Sequence, residues 1–251
     1  MPFRLTPRRT LAVIVPIIAF LVVVSVAGQY WRIALHHHAG HWIVRQFSLD
    51  DELNIPTAYQ AITLGCCALL LWTIAWRDRQ LKRRHIVQWA LLGAVFLLLA
   101  NDEAFRIHER LGQFRDDLPW GLGREFRTGW IMFALLFMLV LAFIYFPFLY
   151  KLPRRYAILF TVAGTIYVGG AVGMELAADP WVEAHGRDNM HYQLMSTLEE
   201  TMEMTGIAIF LFALTSYLAP FQSKLLRIDE DAPARPETTA ATSTPQPAPA
   251  A

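Results

Sequence analysis

The chain has 251 residues, of which 55% are hydrophobic and 17% charged, with a mean hydropathy of +0.34. A soluble domain carries about 25% charged residues, so this composition belongs to a membrane protein whose first partner is the lipid bilayer. The 22 Lys and Arg nearly balance the 21 Asp and Glu, for a net charge of +1. That balance excludes the basic excess of a nucleic-acid binder and the high net charge of a disordered chain. The two cysteines, Cys66 and Cys67, are adjacent and exclude a disulfide scaffold.

A helix needs about 20 mostly apolar residues to cross a hydrocarbon core of roughly 30 Å. Six segments approach that length: Leu11–Tyr30, Thr57–Trp76, Ile86–His108, Gly129–Tyr150, Tyr156–Ala178 and His191–Leu218. No alternating strand pattern and no internal repeat competes with them, so an all-α polytopic bundle of six transmembrane helices is expected rather than a barrel. This divides the chain into a short N-terminal segment at 1–10, a membrane domain at 11–219 and a tail at 220–251. From about Ile228 the tail passes into acidic residues and then Pro, Ala and Thr, a composition that predicts disorder.

Lys and Arg in the loops set the orientation. Arg4, Arg8 and Arg9 precede the first span; Arg77, Arg79, Lys82, Arg83 and Arg84 join the second to the third; Lys151, Arg154 and Arg155 join the fourth to the fifth. All three places fall on one side of an alternating six-span layout, which puts both termini in the cytoplasm of a bacterium and the spans in its inner membrane. The first span also has features of a cleavable signal peptide, a basic start with Ser25 and Ala27 near its end. Its apolar run exceeds the usual 7–15 residues, which favours a retained span.

Sorted by side, the cytoplasmic segments hold 14 Lys/Arg and five Asp/Glu, whereas the external segments hold 8 Lys/Arg and 16 Asp/Glu together with seven of the eight histidines. Orientation accounts for the basic bias but gives acids little weight. The third span reads Asn101-Asp102-Glu103-Ala104-Phe105-Arg106-Ile107-His108-Glu109-Arg110 at its outer end, and the sixth reads Ser196-Thr197-Leu198-Glu199-Glu200-Thr201-Met202-Glu203. The apolar remainder of each is too short to cover the hydrocarbon at 1.5 Å per residue. Asp102, Glu103, Glu199, Glu200 and Glu203 should therefore lie at or below the outer headgroups, joined by Glu175 after the Gly169–Gly173 glycine cluster. Ionisable residues at that depth normally face a bundle interior or a wet cavity.

At 100° per residue, Ser196, Glu199, Glu200 and Glu203 share an arc of about 100°. Asp102 and Glu109 share a face with Arg106 between them, while His108 lies about 120° from Asp102 in an ideal helix, so either the helix is irregular there or two sub-sites exist. Carboxylates held close need a bound metal, Arg partners or shared protons. The expected metal ligands are Asp102, His108, Glu199 and Glu203, a set suited to Zn, Mn, Fe or Ca. Glu200 and Glu109 are then the acid/base groups of a metal-dependent membrane hydrolase. Glu103, Glu175 and Ser196 would line the cavity, Asp50, Glu52 and Asn54 would close its mouth, and Arg106 and Arg110 are charge partners. No Glu-x-x-His of the di-iron type occurs in the spans. Two other readings stay open: a cation or proton transporter or sensor, and a structural subunit in which Arg106, Arg110, Arg124, Arg127 and Arg187 neutralise the acids.

The remaining signals have simpler readings. His36, His37, His38 and His41 form a solvated or headgroup-facing patch. Cys66 and Cys67 read as small buried residues, and Trp31, Trp42, Trp76, Trp120, Trp130 and Trp181 as an aromatic belt. The glycine cluster should permit close helix approach.

Three stretches carry a resemblance: Leu49 to Thr57 (LDDELNIPT), Asp102 to Glu109 (DEAFRIHE) and Glu199 to Gly206 (EETMEMTG). Together and in this order they resemble an uncharacterised group of bacterial multi-pass membrane proteins with the patterns L-D-x-E-x-N-I-P-T, D-E-x-x-x-I-H-E and E-E-x-x-E-M-x-G. Where that group often has Ser before Asp-Glu, this chain has Asn101. The resemblance implies the topology and the candidate positions, and no activity. A looser likeness is to ceramidase-like membrane hydrolases, which hold zinc through three His and an Asp; this chain shows no matching three-His spacing.

Overall fold

The computed structural model describes residues 6–35, 41–108, 110 and 130–230. The described residues contain helices and no strand. In chain order the helices are α1 (Pro7–Gln29), continued by a wider π-helical turn over Tyr30–Ala34, then α2 (His41–Phe47), α3 (Ile55–Gln80), α4 (Ile86–Phe105), α5 (Trp130–Leu149) and α6 (Arg154–Val168). A second π-helical segment, Gly169–Met174, joins α6 to α7 (Glu175–His185), and α8 follows as Met190–Glu230. Six stretches are long and apolar enough to cross a membrane: Pro7–Ile33, Ile55–Gln80, Ile86–Phe105, Trp130–Leu149, Arg154–His185 and Met190–Phe221. Two compact units are present, Met1–Ala219 and Pro220–Ala251. The packing described below belongs to the first unit. In the second, helix continues to Glu230, slightly past the expected end of regular structure near Ile228; the rest of the tail lies outside the described residues.

Local chemistry explains the helix ends. Pro7 and Pro56 stand in the first turns of α1 and α3, where a missing N–H costs nothing and the fixed φ suits the helix. Thr6 and Asn54 cap those turns by accepting the N–H of Arg9 and Thr57. Pro153 precedes α6 and separates it from α5. The fifth span runs on to His185, past the expected Ala178, and the third stops early. The third span was expected to run to His108, but α4 ends at Phe105 because Arg106 takes the left-handed conformation, with φ 56° and ψ 46°.

The helices divide into central and peripheral ones. Over the most apolar part of each span, 56% of α8 and 44% of α3 is buried, against 17% for α1, α4 and α5. Leu64, Cys67, Leu71 and Ile74 of α3 and Met204, Ala213 and Leu214 of α8 form the middle of the core. At the end distant from the acids, Trp89 of α4 is an aromatic hub, with ring centroids 4.9 Å from Phe148, 6.0 Å from Phe160 and 5.2 Å from Tyr217. Aromatic edges meeting faces at such distances add about 0.5–1.5 kcal/mol per pair beyond area burial. Peripheral α5 presents Leu139, Phe143 and Phe146 outward, as a helix facing lipid tails does.

Lipid removes most of the hydrophobic drive between spans, so close backbone approach matters more. A Cβ on Gly206 would lie 2.8 Å from the Ala163 carbonyl oxygen and from the Tyr167 backbone nitrogen, and one on Gly170 would lie 2.8 Å from the Glu199 carbonyl oxygen. These two glycines let α6 and its π-helical extension press on α8. Of the expected glycine cluster, Gly170 makes the tight contact, Gly169 meets only the end of Met202, and Gly173 faces open space. The cysteines also divide, Cys67 being buried and Cys66 exposed.

Candidate functional site

The acidic end of the first unit encloses a cavity of about 740 Å³, within the roughly 300–1,000 Å³ range of ligand pockets. Five parts of the chain supply its polar wall: Asp50, Asp51 and Glu52 from the loop before α3, Asp102 and Glu103 from the end of α4, Arg106 and His108 beyond it, Glu175 from the start of α7, and Ser196, Glu199, Glu200 and Glu203 from α8. These side chains line one space. Nine acids line the cavity among the described residues, and Arg45, Arg106 and Arg187 are the guanidinium groups facing them.

Each acid is held differently. The loop carrying Asp50, Asp51 and Glu52 is fastened to α1, since the Leu49 N–H donates to Ser25 Oγ at 3.0 Å and the Gln29 amide donates to Ser48 Oγ at 2.9 Å. Asn54 is the central fastener. Its Nδ2 donates to the carbonyls of Arg45, Ser48 and Asp51 at 3.0, 2.6 and 2.8 Å, and its Oδ1 accepts from the N–H and hydroxyl of Thr57. Asn54 was expected at the cavity mouth; it is instead buried beneath the loop and absent from the lining. All its polar atoms are spent on shaping the loop that presents its acidic neighbours.

The left-handed turn at Arg106 brings His108 back to Asp102. The His108 N–H donates to Asp102 Oδ1 at 2.6 Å, and its ring Nδ1 lies 3.1 Å from Asp102 Oδ2. The 120° separation of an ideal helix is removed by breaking the helix, which is the irregularity their meeting required. His108 Nε2 faces Glu52 Oε1 at 3.5 Å, and Arg106 pairs with the same Glu52. The imidazole thus stands between two carboxylates, with the Trp130 ring beside it, tilted at 56° with centroids 5.3 Å apart.

On α8, Glu200 Oε2 accepts from the Gln60 amide of α3 at 2.5 Å, and Gln193 donates to Asp50 at 3.1 Å. Sequence reasoning missed Gln60. Its signal was a lone amide in an otherwise apolar span, a costly placement without a partner. Glu203 is only 9% exposed, faces the cavity, and has no hydrogen-bond or ion-pair partner among the described residues. Glu103 and Glu199 likewise line the cavity without such a partner among the described residues. Arg110 is exposed and does not line the cavity. Glu109, His36, His37, His38, Trp120, Arg124 and Arg127 lie outside the described residues.

No three His, Cys, Asp or Glu side chains are gathered closely enough to hold a metal ion among the described residues. The arrangement does offer an oriented imidazole, a hydrogen-bonded carboxylate and a buried carboxylate open to a ligand.

No curated protein and no solved structure matches the chain. A family model, described as a domain of unknown function (DUF8692), matches residues 15–218, from the first span to the end of the first unit. The match covers every described element of the cavity, so the chain belongs to the DUF8692 family.

Proposed function

We propose that the protein is a multi-pass enzyme of the bacterial cytoplasmic membrane, a metal-dependent hydrolase whose acidic cavity receives a lipid or another extracytoplasmic substrate. The observation that carries this reading is the Glu203 carboxylate, buried, turned into a cavity and without a counter-charge among the described residues. As a charge, such a group is costly at membrane depth unless a shared proton or something bound there compensates it. The basic loops on the opposite side support an outward-facing cavity and cytoplasmic termini.

Glu199 and Glu203 would hold the metal, with Asp102 completing the set. Since no trio is preassembled among the described residues, loading requires carboxylate rotation within the cavity. Bound metal would activate water or polarise a substrate oxygen. The chain's own groups supply the rest. Asp102 holds the His108 ring by Nδ1, which directs Nε2 toward Glu52 and the cavity. An imidazole oriented in this way takes a proton from water and passes it on. Glu200, which accepts from Gln60, would serve as the acid toward a leaving group.

The structural-network reading gains support from the Arg106–Glu52, Gln60–Glu200 and Gln193–Asp50 contacts. It leaves Glu103, Glu199 and Glu203 unexplained. A transporter needs ionisable groups along the depth of the bundle, yet α8 carries no Asp, Glu, His, Lys or Arg from Met204 to Leu218. The test is metal analysis of purified protein. Stoichiometric divalent metal in the wild type, lost in Glu203→Gln, is the expected outcome; a metal-free wild type at a pH where carboxylates are ionised overturns the reading.

A further inference from the structure

The cavity has a second wall that the acids do not describe. Val95 and Leu99 of α4, Phe137 and Leu141 of α5, and Val168 of α6 line it. Leu141 and Trp130 both line the cavity and stand eleven positions apart on α5, about 16 Å along a helix. An acidic chamber therefore continues as an apolar one, alongside the helix that also presents Leu139 and Phe143 outward.

Charge selects the polar end of an occupant. Nine acids face three arginines, and Arg106 is already engaged by Glu52. The lining therefore carries an acidic excess. A field of this sign attracts cations and repels phosphate. Glu203, nine-tenths buried and without a partner among the described residues, is turned toward such a cation.

We infer that the cavity binds an amphiphile with an amine-bearing, cationic head and an apolar chain, the head against Glu203 and Glu199 and the chain along Leu99, Phe137 and Leu141. This rests on the cavity being the substrate site, as in the reading above, but it does not need the metal.

The test uses the full chain in phosphatidylcholine nanodiscs with EDTA and a photoreactive dodecylamine. Saturable labelling is expected on the α4 and α5 wall, displaced by dodecylamine and at least ten-fold less well by dodecyl phosphate. Glu203→Gln should raise the amine concentration needed for half-labelling by at least ten-fold. Leu141→Trp, which fills the apolar end and leaves the acids intact, should reduce labelling at an unchanged melting temperature. Equal displacement by the phosphate overturns the inference, as does label confined to outward residues such as Phe143. If Glu203→Gln fails to fold, the label position and the Leu141→Trp result still decide. Amine binding by a protein that holds no metal would leave this inference standing and remove the metal-dependent reading; metal without amine selectivity would do the reverse.

Discussion

At the scale of single residues, the structure separates groups that present the site from groups that compose it. Asn54 sits in the same acidic stretch as Asp50 and Glu52, yet its amide holds three carbonyls and caps α3 while their carboxylates face the cavity. Replacing a capping Asn by Ala costs about 1 kcal/mol, and each buried partner left unsatisfied adds roughly 1–3 kcal/mol. Asn54→Ala is therefore expected to cost about 3 kcal/mol, lowering the melting temperature in detergent by roughly 5–10 °C at this chain length. A change below 2 °C would show that the loop is held by other contacts. The Asp102–His108 contact was legible only in part. Residue types marked both as candidates, but helical geometry kept them apart. Their meeting depends on one residue, Arg106, adopting positive φ.

At the scale of elements, the site depends on how closely the π-helical segment approaches α8. Gly206 and Gly170 face backbone atoms that cannot rotate away, whereas Gly173 faces open space. Overpacking a well-packed contact costs about 1–3 kcal/mol. Gly206→Ala is expected to destabilise the protein by that amount and to displace α6 from α8. Gly173→Ala is expected to be neutral, or stabilising by a few tenths of a kcal/mol through lower chain entropy. Thermal melts of the two variants in one detergent check both expectations; equal losses would refute the asymmetry. Gly170 and Gly173 look alike in sequence, because what each faces is set by helix rotation.

At the scale of the whole molecule, the acids and the basic loops lie at opposite ends of the spans. The acidic end gathers the starts of α3, α5 and α8 with the end of α4. The other end holds the buried Arg77–Asp78 pair at 2.7 Å, with Arg77 over the Tyr217 ring at 5.0 Å. If the basic loops are cytoplasmic, a cysteine at Asp188 should react with an impermeant maleimide in intact cells, and one at Lys82 only after permeabilisation. Cys66 and Cys67 are first replaced by Ala. The opposite labelling pattern would invert the orientation and place the cavity toward the cytoplasm.

By itself the sequence determined that the protein is helical, that six stretches suit a bilayer, and that carboxylates cluster near one end of those stretches. These follow from composition and from a fixed rise and turn per residue, properties local to each segment. Tertiary structure alone decided which carboxylates find partners. Glu200 meets Gln60 140 residues away and Asp50 meets Gln193 143 residues away, while Glu203 meets none among the described residues. Such pairings depend on the rotation and approach of separate helices, which small residues and one left-handed turn set, and no single segment encodes them.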